Sequence, residues 1–230
     1  MAKRLTKEQL ETDPLLTSYY LFTSFLKRNM TAVVIAGVAF IAVVGGGIFY
    51  FLYSQAQEAE AQELLVYAEQ AFRQGEFETA LWGDDDVLRT GLVDIINNYG
   101  RTSAGNLARY YAAVAESELG NYEDALRYIE RFDPPRGILG VGPISFHAVV
   151  LSNIGEYSRA ADVFEKAAEW DINEATTPQN LFNAAQAAME ADEIARATQL
   201  VNRILNEYEG SQVADQARRL EGMLFVRQAS

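Results

Sequence analysis

The chain has 230 residues, a formal net charge of -13, no cysteine and a single histidine, His147. That length holds one ordinary domain with appendages, and zinc sites built from cysteine or from several histidines are excluded. Lys3, Arg4, Lys7, Lys27 and Arg28 outweigh Glu8, Glu11 and Asp13 in residues 1–28, so the remainder is more acidic than the whole. Such a body repels phosphate backbones and anionic lipid headgroups, which argues against nucleic acid as its partner.

In chain order, residues 1–29 form a leader. Its stretch Asp13–Asn29 is apolar with spaced aromatics, and forms either a short amphipathic helix along the inner membrane surface or an inward extension of the helix that follows. Met30–Tyr53 is 24 residues without a charge. As a helix it is about 36 Å long, enough to cross a hydrocarbon core of about 30 Å. Lys27 and Arg28 precede it, while Glu58, Glu60 and Glu63 follow. This asymmetry places the N-terminus in the cytoplasm and residues 54–230 in the periplasm. The span is longer than the 7 to 15 residues of a signal-peptide core, so it reads as a retained transmembrane anchor in a bacterial inner membrane. Within it Ala32, Ala36, Ala39 and Gly46 line one stripe, a packing face for a partner helix; small residues are also common in membrane helices generally.

From Gln55 onward the composition favours helices, and four segments repeat a pattern. QGEFETA, LGNYEDA, IGEYSRA and ADEIARA place a turn residue at Gly75, Gly120, Gly155 and Asp192. Phe77, Tyr122, Tyr157 or Ile194 follows two positions on, and Ala80, Ala125, Ala160 or Ala197 three beyond that. The alanines are 45, 35 and 37 residues apart, close to the 34-residue tetratricopeptide (TPR) period. Glycine permits the turn after the first helix, the aromatic packs it down, and alanine lets the second helix approach closely. The expected fold is all-α: one N-terminal transmembrane helix followed by a TPR α-solenoid over residues 54–230.

Two departures predict irregularity. The extra length between the first and second units falls in Trp82–Gly105, read as a broken second helix, a loop at Gly83–Asp86 and a helix from Thr90 to Tyr99. Asp84, Asp85 and Asp86 lack the further ligands of a calcium loop and read as a solvated N-cap cluster. In FDPPRGILGVGPI, Pro143 is expected at the first position of the next helix. The glycines there lack the strand and spacing of a dinucleotide fingerprint. Ser211 is expected to cap a last helix, residues 211–226, whose Arg218, Arg219 and Glu221 give the solenoid a polar end.

Little catalytic chemistry remains, since no familiar triad can be assembled. His147 falls at a position usually buried in such repeats and reads as structural. The reading is of a non-enzyme with no cofactor, no metal and no small-molecule substrate. A solenoid offers a concave groove lined by its first helices. Counting from the turn residue, the groove positions are Tyr110, Val114 and Ser117; Ser145, Val149 and Ser152; and Phe182, Gln186 and Met189. Tyr110, Phe182 and Met189 are apolar enough to require a cover, either a partner or another part of this chain. The acidity favours cationic segments or reflects a salt-adapted surface, Lys166 being the one lysine after the apolar span.

The plan of leader, single anchor and acidic repeat domain, with GNLARYYAAVAESELGNYEDALRYIERFD, ILGVGP and YSRAADVFEKAAEWDINEATTP, resembles the YfgM-like ancillary subunit of the bacterial Sec translocon. It resembles in particular the Bacteroidetes-type versions, over about Thr31 to Met223. The resemblance implies an inner-membrane protein whose periplasmic repeats associate with Sec translocon subunits, the membrane-anchored prolyl isomerase and emerging secretory polypeptides. It brings no catalytic motif. The alternative is a structural TPR subunit of another envelope complex, in division, secretion or respiration.

Overall fold

The computed structural model describes residues 14–84 and 89–228. Residues 1–13 of the leader, and Asp85 and Asp86 of the acidic run, lie outside the described residues. Two compact units meet between Ala56 and Gln57.

The first unit contains α1 (Pro14–Arg28) and the apolar part of α2 (Met30–Arg73). Asn29 donates its N–H to Phe25 O and accepts from Val33 N–H, which carries helical bonding across the junction. The apolar part is long and apolar enough to cross a membrane, and its most apolar stretch is covered by none of the other described residues. Its backbone groups are satisfied within the helix itself, as a membrane-crossing segment requires.

The second unit begins within α2 and continues through α3 (Phe77–Trp82), β1 (Gly83–Asp84), β2 (Arg89–Thr90), α4 (Leu92–Tyr99), α5 (Ser103–Glu118) and α6 (Tyr122–Ile129). It ends with α7 (Ile138–Asn153), α8 (Tyr157–Trp170), α9 (Thr177–Glu190), α10 (Ile194–Glu207) and α11 (Ala214–Gln228). Successive helices pack on their sequence neighbours, α7 on α8, α8 on α9, α9 on α10 and α10 on α11. This is the arrangement of a helical solenoid.

The four repeat turns share one geometry. Gly75, Gly120, Gly155 and Asp192 all have positive φ, between 61° and 82°. In each, the turn residue's N–H reaches the carbonyl three residues back and the next N–H the carbonyl five back, as in Asn121 N to Glu116 O at 2.8 Å and Glu193 N to Ala188 O at 2.8 Å. Two carbonyls orphaned at each helix end are thereby satisfied. Ala80, Ala125, Ala160 and Ala197 are fully buried. Leucines such as Leu81 and Leu151 fill the remaining space, each worth roughly 1.5–3 kcal/mol when withdrawn from water.

The irregular segments differ from expectation in instructive ways. The loop placed at Gly83–Asp86 is instead entered by an antiparallel ribbon, Gly83 opposite Thr90 and Asp84 opposite Arg89. The next helix starts at Leu92 with Gly91 as its N-cap, and Asp84 lies in the ribbon instead. Pro143 lies inside α7, which starts five residues earlier at Ile138. Its missing N–H leaves the Leu139 carbonyl without a helical partner, tolerable because Leu139 is exposed. Ser211 does not cap the last helix: α11 starts at Ala214, and Ser211 Oγ is buried without a hydrogen-bond partner. Arg218, Arg219 and Glu221 do face solvent.

The loops joining each second helix to the next first helix are stitched side by side. Glu58 accepts from Ser103 N (2.6 Å) and Ala104 N (3.1 Å) at the start of α5. Burial opposes its charge, but these bonds and one from Gln62 outweigh it and hold the carboxyl below its ordinary range. Asn106 and Asp133 exchange two bonds of 2.8 and 2.9 Å, and Trp170 Nε1 donates to Pro135 O at 3.0 Å.

Two adjacent glycines of α7 test this packing. A Cβ on Gly140 would lie 2.1 Å from Pro135 O and 2.3 Å from Trp170 Nε1, whereas one on Gly142 meets nothing within 4 Å beyond its chain neighbours. Gly140→Ala is expected to destabilise by about 1–3 kcal/mol, and Gly142→Ala, whose added Cβ meets only the ring of the following Pro143, by less than that. Thermal unfolding of the two variants in parallel checks the difference.

Candidate functional site

The groove positions arise because α5, α7 and α9 are the first helices of successive units and recur along one row. Their neighbours decide which remain open. Tyr110 is half-buried, its ring 5.4 Å from Phe132 and 6.0 Å from Phe146. Burial raises its phenol above the ordinary value. It ends an aromatic series running through Tyr111 (6.2 Å), Phe72 (5.0 Å) and Phe77 (5.6 Å), with Tyr111 OH donating to Glu69 at 2.9 Å. Spacing alone did not reveal this series, because its members come from three helices.

The last unit corrects the expectation most clearly. Phe182 is only 7% exposed and belongs to the core that includes Val213, Leu220 and Leu224 of the final segment. Met189 packs against that core, and its carbonyl accepts from Arg227 Nη1 at 2.9 Å. Their cover comes from this chain: α11 packs on α9 and α10, where a further repeat would stand. Neither side chain is an open surface for a partner.

Ser145 is tied inward, its hydroxyl donating to Asn180 Oδ1 at 2.6 Å while Asn180 Nδ2 donates to Thr176 O at 2.9 Å. Val114, Ser117 and Ser152 are half-buried, and Val149 (42%) and Gln186 are exposed. These five are the open remainder of the predicted set. In the first unit Ala32, Ala36, Ala39 and Gly46 are all exposed on α2.

Of two polar features, the first was not singled out from sequence, and the second, His147, was read there as structural. Arg196 of α10 binds Asp162 (2.6 Å) and Glu165 (2.6 Å) of α8, and Glu193 (3.0 Å) at its own helix start. Burial opposes its charge, but the three carboxylates outweigh that and strengthen its hold on the proton. Only the Glu193–Arg196 spacing of three was visible in sequence; the cross-helix partners required the fold. The cluster clasps the two second helices beside an open recess of about 420 Å³ that Lys166 and Trp170 complete. Its full pairing makes it a clasp rather than a reactive centre. The other feature is His147, half-buried with Nε2 enclosed and unbonded, facing a small cavity of about 110 Å³ that Glu130, Phe132, Pro134 and Lys166 help to line. Among the described residues no group of three or more acids and histidines is placed to hold a metal.

No family model and no curated protein matches the chain. Among solved structures it is similar to the TPR-like repeats of a kinesin light chain from Podospora anserina. The TM-score is 0.52 at 11% identity, over 75% of this chain and 96% of that one. At that identity the likeness concerns the fold, which is a TPR-like helical solenoid following a long apolar helix.

His147 gives the site a measurable pH dependence. Burial pushes its pKa down, Arg159 and Lys166 add to that, and Glu130 opposes it. The unfolded chain therefore takes up a proton near pH 6.5 while the folded chain does so only at lower pH. The stability held by the neutral ring is complete above about pH 6.5 and is lost as pH falls through the folded value. The thermal midpoint is expected to fall between about pH 7 and pH 5, and His147→Gln to flatten that fall. Glu69 and Glu193, held low by their hydrogen-bond partners, act only in more acidic solution. An unchanged slope in the variant rejects the assignment.

Proposed function

We propose that this protein is a membrane-anchored scaffold that holds other proteins near the bilayer. One observation carries the reading: an apolar helix of membrane-crossing length, uncovered by the other described residues, is covalently continuous with a TPR-like solenoid. Tethering a repeat surface at a membrane raises the effective concentration of membrane-bound partners, so a shallow contact suffices. The charge asymmetry around Met30–Tyr53 puts the repeats on the periplasmic side. The resemblance described above supplies the partners: Sec translocon subunits, their membrane-anchored prolyl isomerase and emerging secretory polypeptides. The protein assists their passage to periplasmic chaperones and performs no chemistry itself.

A second reading has one observation in its favour. The aromatic positions of the groove are covered by the chain itself, and the remaining strip at Val149 and Gln186 suits one fixed neighbour in a structural envelope complex. Crosslinking mass spectrometry in native membranes separates the two. Translocon subunits together with varied nascent chains support the first; a single stoichiometric neighbour supports the second.

The strip itself is tested by Val149→Asp combined with Gln186→Asp in the full chain. Both positions are exposed, so helix content is expected to be unchanged. Capture of the crosslinked partner after gentle solubilisation is expected to weaken by about tenfold or more. Unchanged capture rejects the strip as the binding surface.

A further inference from the structure

The second unit has two edges of different character. One carries the repeat turns at Gly75, Gly120, Gly155 and Asp192, where Glu76, Glu118, Glu123, Glu156 and Glu193 gather without a lysine or arginine between residues 74–78, 118–124, 153–158 or 190–194. The other carries the loops stitched together by Glu58, Asn106, Asp133 and Trp170. On it Arg101, Arg131 and Arg136 are exposed and, among the described residues, enter no ion pair. Glu58, Glu130, Asp133, Asp171 and Glu174 share this edge, so the arginines offset part of its acidity, as no basic residue does at the turns.

The same edge exposes large apolar side chains: Leu139 at 75%, Ile172 at 65% and Ile138 at 51%. Ile138 and Leu139 open α7, held in place by the positive φ of Gly137 and by Gly140 seated against Pro135 and Trp170. Ile172 follows Asp171, whose carboxylate lies beside Gly137. A fixed apolar tip flanked by arginines fits the interfacial layer of a bilayer, where aliphatic groups enter the acyl boundary and guanidinium groups meet phosphate.

The chain's own connectivity names the occupant. The second unit starts at Gln57, and Glu58 is bound to the start of α5 on this same edge. The apolar stretch ends at Tyr53, so at most about 18 Å of chain separates its end from Glu58 on that edge. We propose that this edge docks on the phospholipid surface, with Ile138, Leu139 and Ile172 in the interfacial layer and Arg131 and Arg136 on lipid phosphates. The inference rests on the anchor reading given under Proposed function. It leaves the acidic turn edge turned away from the lipid.

The absence of cysteine permits single-site labelling of the full chain. Leu139→Cys, Ile172→Cys and, on the acidic edge, Glu123→Cys each carry a polarity-sensitive fluorophore in vesicles of phosphatidylethanolamine and phosphatidylglycerol containing a lipid-borne quencher. Quenching at positions 139 and 172 is expected to exceed that at 123 by about threefold or more. With the label at 172, Arg131→Gln with Arg136→Gln and Leu139→Ser is expected to return quenching to the level at 123. Equal quenching at all three positions, in a chain that floats with the vesicles and resists carbonate extraction, overturns the docking and leaves the anchor standing. A chain that does not float overturns the anchor reading and this inference with it. Retained quenching in the triple variant, with unchanged circular dichroism, overturns the assigned residues.

Discussion

The close approach of paired helices at a buried methyl group is the constraint on which the second unit depends. Ala80, Ala125, Ala160 and Ala197 stand in the first turn of a second helix, each with its N–H bonded to the carbonyl of the helix N-cap. Such a contact gains dispersion energy only at short range. The turn before it must therefore return the chain at a fixed distance and angle. Positive φ at the turn residue, with its pair of reverse hydrogen bonds, supplies that angle. Asp192 at φ 61° accepts a conformation that glycine adopts more easily, because the surrounding bonds and the buried Ala197 hold it there.

Once the pairs are fixed, the remaining question for a solenoid is how it ends. An uncovered first helix would expose its apolar row, so the last unit needs a neighbour that is not a repeat. Helix α11 supplies it, and in doing so encloses Phe182 and Met189. The same logic applies inside the array, where Phe132 and Phe146 close over Tyr110. Covering the aromatic row leaves valine, serine and glutamine as its open members. In the scaffold reading proposed above, contacts of that modest kind gain most from being tethered beside their partner.

Much of this was readable from sequence because it is local. The four turns, the buried alanines and the apolar span depend on spacings of a few residues, and each stands where its pattern placed it. The start of α7 was misread because Pro143 carries a strong local preference for a first helical turn. Packing of Gly140 against Trp170, 30 residues away, draws the helix back to Ile138. Ser211 is a good cap in isolation, but Val213 and Ala214 are buried, and that anchors the start of α11 further on. The ribbon at Gly83–Thr90 has no strand-like run behind it; Gly83 and Gly91 permit an approach that any side chain would block. Groove residues were correctly placed on their helices but not in their depth, since depth is set by neighbours from other repeats.

The uneven charge of the two edges follows from the same alternation of helices. At the turn edge each second helix begins, and acids there complement the positive end of its dipole: Glu78 in α3, Glu123 and Asp124 in α6. At the other edge those helices end, and arginines suit the negative end: Arg127 in the last turn of α6, Arg131 just beyond it and Arg101 just after α4. Helix α6 thus separates charge between the edges by satisfying its own ends, whereas α8 and α10 carry neither an acid in the first turn nor a base in the last. An anchor joined at the start of a first helix always emerges on the edge where second helices finish. The edge closest in chain to the apolar span is thus the one that helix electrostatics already makes least acidic. No separate selection of a basic face is needed to let an acidic solenoid lie near phosphate.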